Sequence, residues 1–226
     1  MQKRKFSTEL AYVIGLILLA ASVACVERAN LGISMVSAPS YLLHLKLSQF
    51  SSFFTFGTTD YLFQALLIAT MALLIRKIRL YYLFSFITAL LSGKTLDGLM
   101  ALLRLVPMDT LYMRALFFAL GIALCAVGVS LFFHSYIAPG AYELVVKELS
   151  AHFHLDINRF KLCFDLGCCA LALALSLLFF GRIQGIGAGT VISALVNGPL
   201  IGCCSRWLDK RFLFVDALPL HRYFQA

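Results

Sequence analysis

Six stretches of the chain stay apolar for about 20 residues each, and charged positions gather at their ends. They run over about 8–28, 57–75, 80–103, 112–134, 162–180 and 185–205. A hydrocarbon core of about 30 Å requires roughly 20 apolar residues per helix, so each stretch predicts a transmembrane helix. The second and third are joined only by Arg76-Lys77-Ile78-Arg79, and the fifth and sixth only by Gly181-Arg182-Ile183-Gln184. Two longer connections remain, near 29–56 and 135–161. The pattern predicts an all-α integral membrane fold in a single membrane domain over 1–226.

The spans repeat. Sliding the chain by 105 positions lays residues 60–98 over 165–203 without a gap, with ten of 39 positions identical. Asp60 falls on Asp165, Gly93 falls on Gly198, and the two short turns coincide. Upstream, Ala38-Pro39 and Ala138-Pro139 sit in the two long connections, in a different register. Three spans are an odd number, so tandem copies must insert with opposite orientation. The reading is therefore two inverted repeats, 1–105 and 106–211, followed by a cytoplasmic tail over 212–226. In such folds a transport site typically lies between the repeats.

Charge sets the orientation. With the N-terminus inside, thirteen Lys and Arg lie on the inner side and five on the outer. That bias predicts cytoplasmic termini. Lys3-Arg4-Lys5 before an apolar run resembles a signal peptide, and Ser22-Val23-Ala24-Cys25 resembles a lipoprotein cleavage site. The first run also fits the repeat, so it is read as an uncleaved helix. Composition agrees: 61% of residues are hydrophobic and 13% charged, against about 45–50% and about 25% in soluble domains. The formal charge of +8 belongs to span ends, which points to lipid and not nucleic acid. The seven cysteines show no C-x-x-C or zinc spacing, and no catalytic motif stands up. Neither a cofactor, a metal nor an enzyme activity is expected.

Polar groups inside the spans carry the candidate chemistry, because an ionisable group in hydrocarbon needs a partner or a use. Lys94 and Asp97 lie a turn apart on one face, read as a pathway charge, as a locked pair, or with Lys94 snorkelling outward. Lys94 stands about 15 residues, roughly 22 Å, from the inner end of its helix. Asp60 and Asp165 open the second and fifth spans. Arg28 and Asn30 end the first, and His134 ends the fourth. Tyr142 and Glu143 follow Pro139-Gly140 at the start of a short helix. If the connections dip into the membrane, such helix N-termini face a polar or anionic group. Asn197 belongs to a ladder of small residues (Gly185, Gly189, Ser193) suited to close packing.

Ala29-Asn30-Leu31-Gly32-Ile33-Ser34 resembles the A-N-L-G-T-S signature of the YczE/YyaS/YitT-like family of bacterial membrane proteins. Gly185-Ile186-Gly187-Ala188-Gly189-Thr190, Gly198-Pro199-Leu200-Ile201 and Ala138-Pro139-Gly140-Ala141-Tyr142-Glu143-Leu144 resemble its other motifs, and the likeness spans nearly the whole chain. Ser34 is followed by Met35 where that family usually carries proline, which moves the expected kink to Pro39. The resemblance implies a multi-pass protein of the bacterial cytoplasmic membrane and names no substrate.

Three functions fit. The leading one is a small transporter for a small, anionic solute, with its site near Lys94, Asp97 and Asn197. The second is the capture subunit of a multi-component vitamin-type importer, suggested by an A-x-x-x-A face at Ala20 and Ala24. The third is a non-transporting partner of another membrane protein. Expected partners are the lipid bilayer and a small solute, with a second copy of the chain or another membrane protein as further candidates.

Overall fold

The computed structural model describes residues 4–76, 80–107, 109–135 and 140–216. In chain order its elements are β1 (Arg4–Ser7), α1 (Thr8–Ala29), α2 (Ala38–Leu47), α3 (Phe56–Ile75), α4 (Leu80–Leu103), α5 (Leu111–Phe133), α6 (Ala141–His152), α7 (Ile157–Phe180), α8 (Ala188–Arg211) and β2 (Phe212–Val215). Helices α1, α3, α4, α5, α7 and α8 are long and apolar enough to cross a membrane. They are the six predicted spans; α2 and α6 occupy the two long connections.

Local chemistry explains the helix ends. Ser7, Thr55 and Thr110 are extended and accept the first free amides of α1, α3 and α5, from Leu10, Thr58 and Met113. Helix α1 stops at Asn30, which is left-handed with φ 50°. Helix α7 begins at 157 and not 162, because Asp156 accepts the Arg159 N–H at 2.9 Å. Helix α8 begins at 188 and not 185, because Gly185 has φ 75° and Gly187 is extended.

Helices α1 and α5 form the central pair. Gly15 lies beside Gly128, Gly121 beside Ser22 and Val26, and Arg114 beside Ala29, so the two run antiparallel. Glycines let the backbones approach where lipid offers no hydrophobic drive to associate. Helix α4 flanks α1, and α8 flanks α5. Each short helix packs between α3 and α7, touching one long helix of its own half and one of the other. The order long–short–long–long therefore occurs twice, as the repeat predicts. One relation breaks the correspondence. Helices α3 and α4 pack tightly, whereas α7 and α8 share no comparable contact among the described residues.

The termini meet. Strand β2 pairs in parallel with β1, Arg4 opposite Phe212 through Ser7 opposite Val215, and the Thr8 hydroxyl donates to Asp216 at 2.9 Å. The segment 212–215 is thus a strand and not the free tail expected; 217–226 lie outside the described residues. This pairing holds the start of α1 beside the end of α8, as an even number of spans requires.

Two arginines close helix ends. Arg114 donates to the Ala29 and Asn30 carbonyls at 2.8 and 2.5 Å. Arg28 donates to the Leu103 and Val106 carbonyls at 3.1 and 2.6 Å. Both satisfy C-terminal carbonyls that have no intrahelical donor. Arg114→Ala strands two of them, and we expect it to cost about 1–3 kcal/mol, read as a lower melting temperature of the purified protein. An unchanged melting temperature would show that water replaces the guanidinium.

Candidate functional site

Helix α3 places Asp60, its fifth residue, inside the bundle, 9% exposed. Three donors from three helices reach it. The Ser40 hydroxyl of α2 donates to Oδ1 at 2.7 Å, and the Tyr142 hydroxyl of α6 donates to the same oxygen at 2.8 Å. Gln64, one turn along α3, donates its Nε2–H to Oδ2 at 2.6 Å. The first turns of the two short helices therefore meet at one carboxyl group. Their far ends diverge: Glu148 of α6 accepts from Tyr82 at the start of α4, whereas His44 of α2 contacts the Phe54 carbonyl just before α3. Burial, and then the neighbouring carboxylate, hold the Tyr142 phenol well above its ordinary pKa, so it remains a donor.

A second carboxylate seals the adjoining end of α3. Asp97 of α4 accepts the Thr55 hydroxyl at 2.6 Å and the Gly57 N–H at 2.8 Å. Gly57 and Gly93 touch backbone to backbone beneath it. An alanine methyl at Gly57 would run into the Gly93 carbonyl and the Asp97 carboxylate. The expected Lys94–Asp97 pair is not among the ion pairs of the described residues. Asp97 is turned instead toward the free amides of a helix N-terminus, where a carboxylate is stabilised. Lys94 is exposed, on the rim of a pocket of about 120 Å³ lined also by Phe53, Gly57, Tyr61 and Asp97.

The remaining candidates scatter. Asp165, the repeat mate of Asp60, pairs with Lys161 at 3.2 Å, half-exposed on α7. Glu143 folds back toward Gly140 at the α6 N-terminus. Loss of water pushes its carboxyl up, with Lys161 opposing. Pro139, the expected start of that helix, lies outside the described residues. His134 bridges the Ser130 carbonyl and Asp209 at 2.7 and 2.8 Å, tying α5 to α8. Arg28 and Asn30 are capping residues. The Asn197 Oδ1 is buried without a hydrogen-bond partner among the described residues.

The structure joins Asp60 to Tyr142 and adds Ser40 and Gln64, which sequence reasoning missed. Gln64 had a signal, since it stands four residues after Asp60 on one helix face. Ser40 had little beyond its place after Pro39. The two glycine motifs also meet. The Ile33 N–H donates to the Gly185 carbonyl at 2.9 Å, and the Gly189 N–H to the Leu31 carbonyl at 2.8 Å. Gly32 packs there directly against Gly187 and Thr190.

An all-α bundle of six membrane-span helices around a buried carboxyl group defines a multi-pass membrane protein. The chain belongs to a family of unknown function, DUF6198, which it matches over residues 6–206. No curated protein and no solved structure matches it.

Proposed function

We propose that the protein is a small transporter of the bacterial cytoplasmic membrane, akin to the YczE/YyaS/YitT-like group, with its solute site between the repeats at Asp60. The observation that carries this reading is the difference between matched positions. Gly57 and Gly93 are in backbone contact under the Asp97 clasp, whereas Gly198 and Gly202, the counterparts of Gly93 and Asp97, have open space around them. Inverted repeats that hold two conformations of one helix pair give one-sided access, and exchanging the conformations moves the access across the bilayer. The excess of inner Lys and Arg assigns the chain termini, and with them the splayed ends of α7 and α8, to the cytoplasm. Asp60 already takes the place of an anion between the two helix N-termini. The solute is therefore better read as neutral or cationic than as the anion expected from the sequence.

Closure of α7 on α8 is the testable step. In a variant without native cysteines, Leu162→Cys with Gly198→Cys corresponds to the touching pair Gly57 and Gly93. Mild oxidation in native membranes is expected to cross-link it, as it cross-links Thr58→Cys with Lys94→Cys across the sealed pair. If only the second pair reacts, the exchange does not occur. That outcome would favour the reading as a partner of another membrane protein, which draws on the outward faces of α7 and α8: Leu178 is 78% and Leu195 71% exposed. The importer-subunit reading loses its support, because Ala20 and Ala24 are buried against Phe56, Leu96 and Met100 of the same chain.

A further inference from the structure

We propose that Asp60 is a proton-binding site, and that Ser40 is the swivel that lets it hold or release the proton inside the bundle. This deepens the transport reading and rests on it for its purpose, since a proton bound between the repeats couples solute movement to the proton gradient.

The geometry balances two opposing effects. A buried carboxylate without a counter-charge is costly, and the ion pairs among the described residues, His134–Asp209 and Lys161–Asp165, leave Asp60 out. Three donors at 2.6–2.8 Å, however, stabilise the anion. A group held between such effects changes state readily. The partners also suit both states. The Ser40 hydroxyl has one hydrogen and two acceptors in reach, Asp60 Oδ1 at 2.7 Å and the Ser37 carbonyl at 2.9 Å. When Asp60 is ionised, that hydrogen points at Oδ1. When Asp60 binds a proton, the new O–H donates to Ser40 Oγ, whose own hydrogen turns to the Ser37 carbonyl. Tyr142 and Gln64 keep donating to the remaining lone pairs. No buried polar atom of the cluster is left unpaired in either state, so neither pays that penalty. The proton comes from water on the side to which the site is accessible and returns to water on release.

The titratable groups facing Asp60 are few. Tyr142 comes from α6, with Cys168 of α7 within electrostatic reach behind it. Asp97 comes from α4, where it accepts from Thr55 and Gly57 at the same end of α3. From α2 come Ser40, which does not titrate, and His44, whose pKa burial lowers. None of them supplies a positive charge that would lock Asp60 in its ionised form.

Infrared difference spectroscopy of the full-length protein in lipid, titrated with acid and base and without any solute, tests this directly. A protonated-carboxyl band that titrates is expected in the native protein and is absent from Asp60→Asn. Tyr142→Phe and Ser40→Ala each keep the carboxyl and remove one donor to its anion. Tyr142→Phe is expected to move the midpoint to higher pH by about one unit, whereas Ser40→Ala removes a partner of both states and is expected to move it less. The inference is overturned if no band depends on Asp60 at any pH, or if the band survives in Asp60→Asn. It is equally overturned if Asp60 answers only to sodium at fixed pH, which would make it a metal-cation site. Should Asp60→Asn not fold, the midpoint of Tyr142→Phe decides: an unmoved midpoint sinks the assignment. The titration does not involve α7–α8 closure, so its failure and the failure of the cross-link are distinguishable.

Discussion

Gly32→Ala is expected to lower stability by about 3 kcal/mol or more. Two penalties add. Gly32 has φ 123°, which residues with a side chain rarely adopt. A methyl group there would also sit 2.7 Å from the Gly187 nitrogen and 2.7 Å from the Thr190 hydroxyl. Backbone atoms cannot swing aside as a long side chain can, so the loop after α1 must part from the loop before α8. That movement breaks the two backbone hydrogen bonds between Leu31–Ile33 and Gly185–Gly189. Thermal unfolding of the detergent-solubilised protein measures the effect. Gly167→Ala is the control, since a methyl group there meets nothing within 4 Å, and alanine in a helix costs no more than glycine. Equal melting of Gly32→Ala and the native protein would refute the contact between the two motifs.

Asp97→Ala is expected to cost about 2–3 kcal/mol and to loosen α3 from α4. The carboxylate accepts from Thr55 and Gly57 at once, and its removal leaves the Gly57 N–H without its acceptor beside the glycine contact with Gly93. The readout that separates this role from general destabilisation is access. A cysteine at Thr58, in a cysteine-free variant, is expected to react faster with a membrane-impermeant maleimide when Asp97 is alanine. Asp97→Asn keeps one acceptor oxygen for the Gly57 N–H and loses the charge, so it is expected to fall between the two. Unchanged labelling in both variants would show that Asp97 is only a helix cap and that the glycine contact seals the pair alone.

Much of the fold was legible along the chain. Hydropathy located all six long helices, because lipid forces each span to satisfy its own backbone with an unbroken apolar run. The caps at Ser7, Thr55 and Thr110 rest on local hydrogen bonding between each side chain and the third residue after it. The short helices were expected in the two long connections, from Pro39 and from Pro139-Gly140, but without their packing partners. Proline and glycine mark where a helix starts and say little about which helices it packs against. The swap that sets α6 against α3 and α2 against α7 joins residues far apart in the chain, and no periodicity encodes it.

The site divides the same way. Asp60 and Asp165 are the same residue type at matched positions of the repeat, and by sequence they are equivalent. One is buried under the first turns of α2 and α6, with three neutral donors. The other keeps water and a lysine neighbour. Lys94 and Asp97 share a helix face and so looked paired, yet Asp97 found a better partner in the free amides of α3. The apolar runs settled how many helices are long enough to cross a membrane and which residues are costly to bury. Those properties depend on a residue and its near neighbours. Tertiary structure alone decided which carboxyl group loses its water and which helix pair closes, because desolvation and close packing are set by whatever segment comes to lie on top.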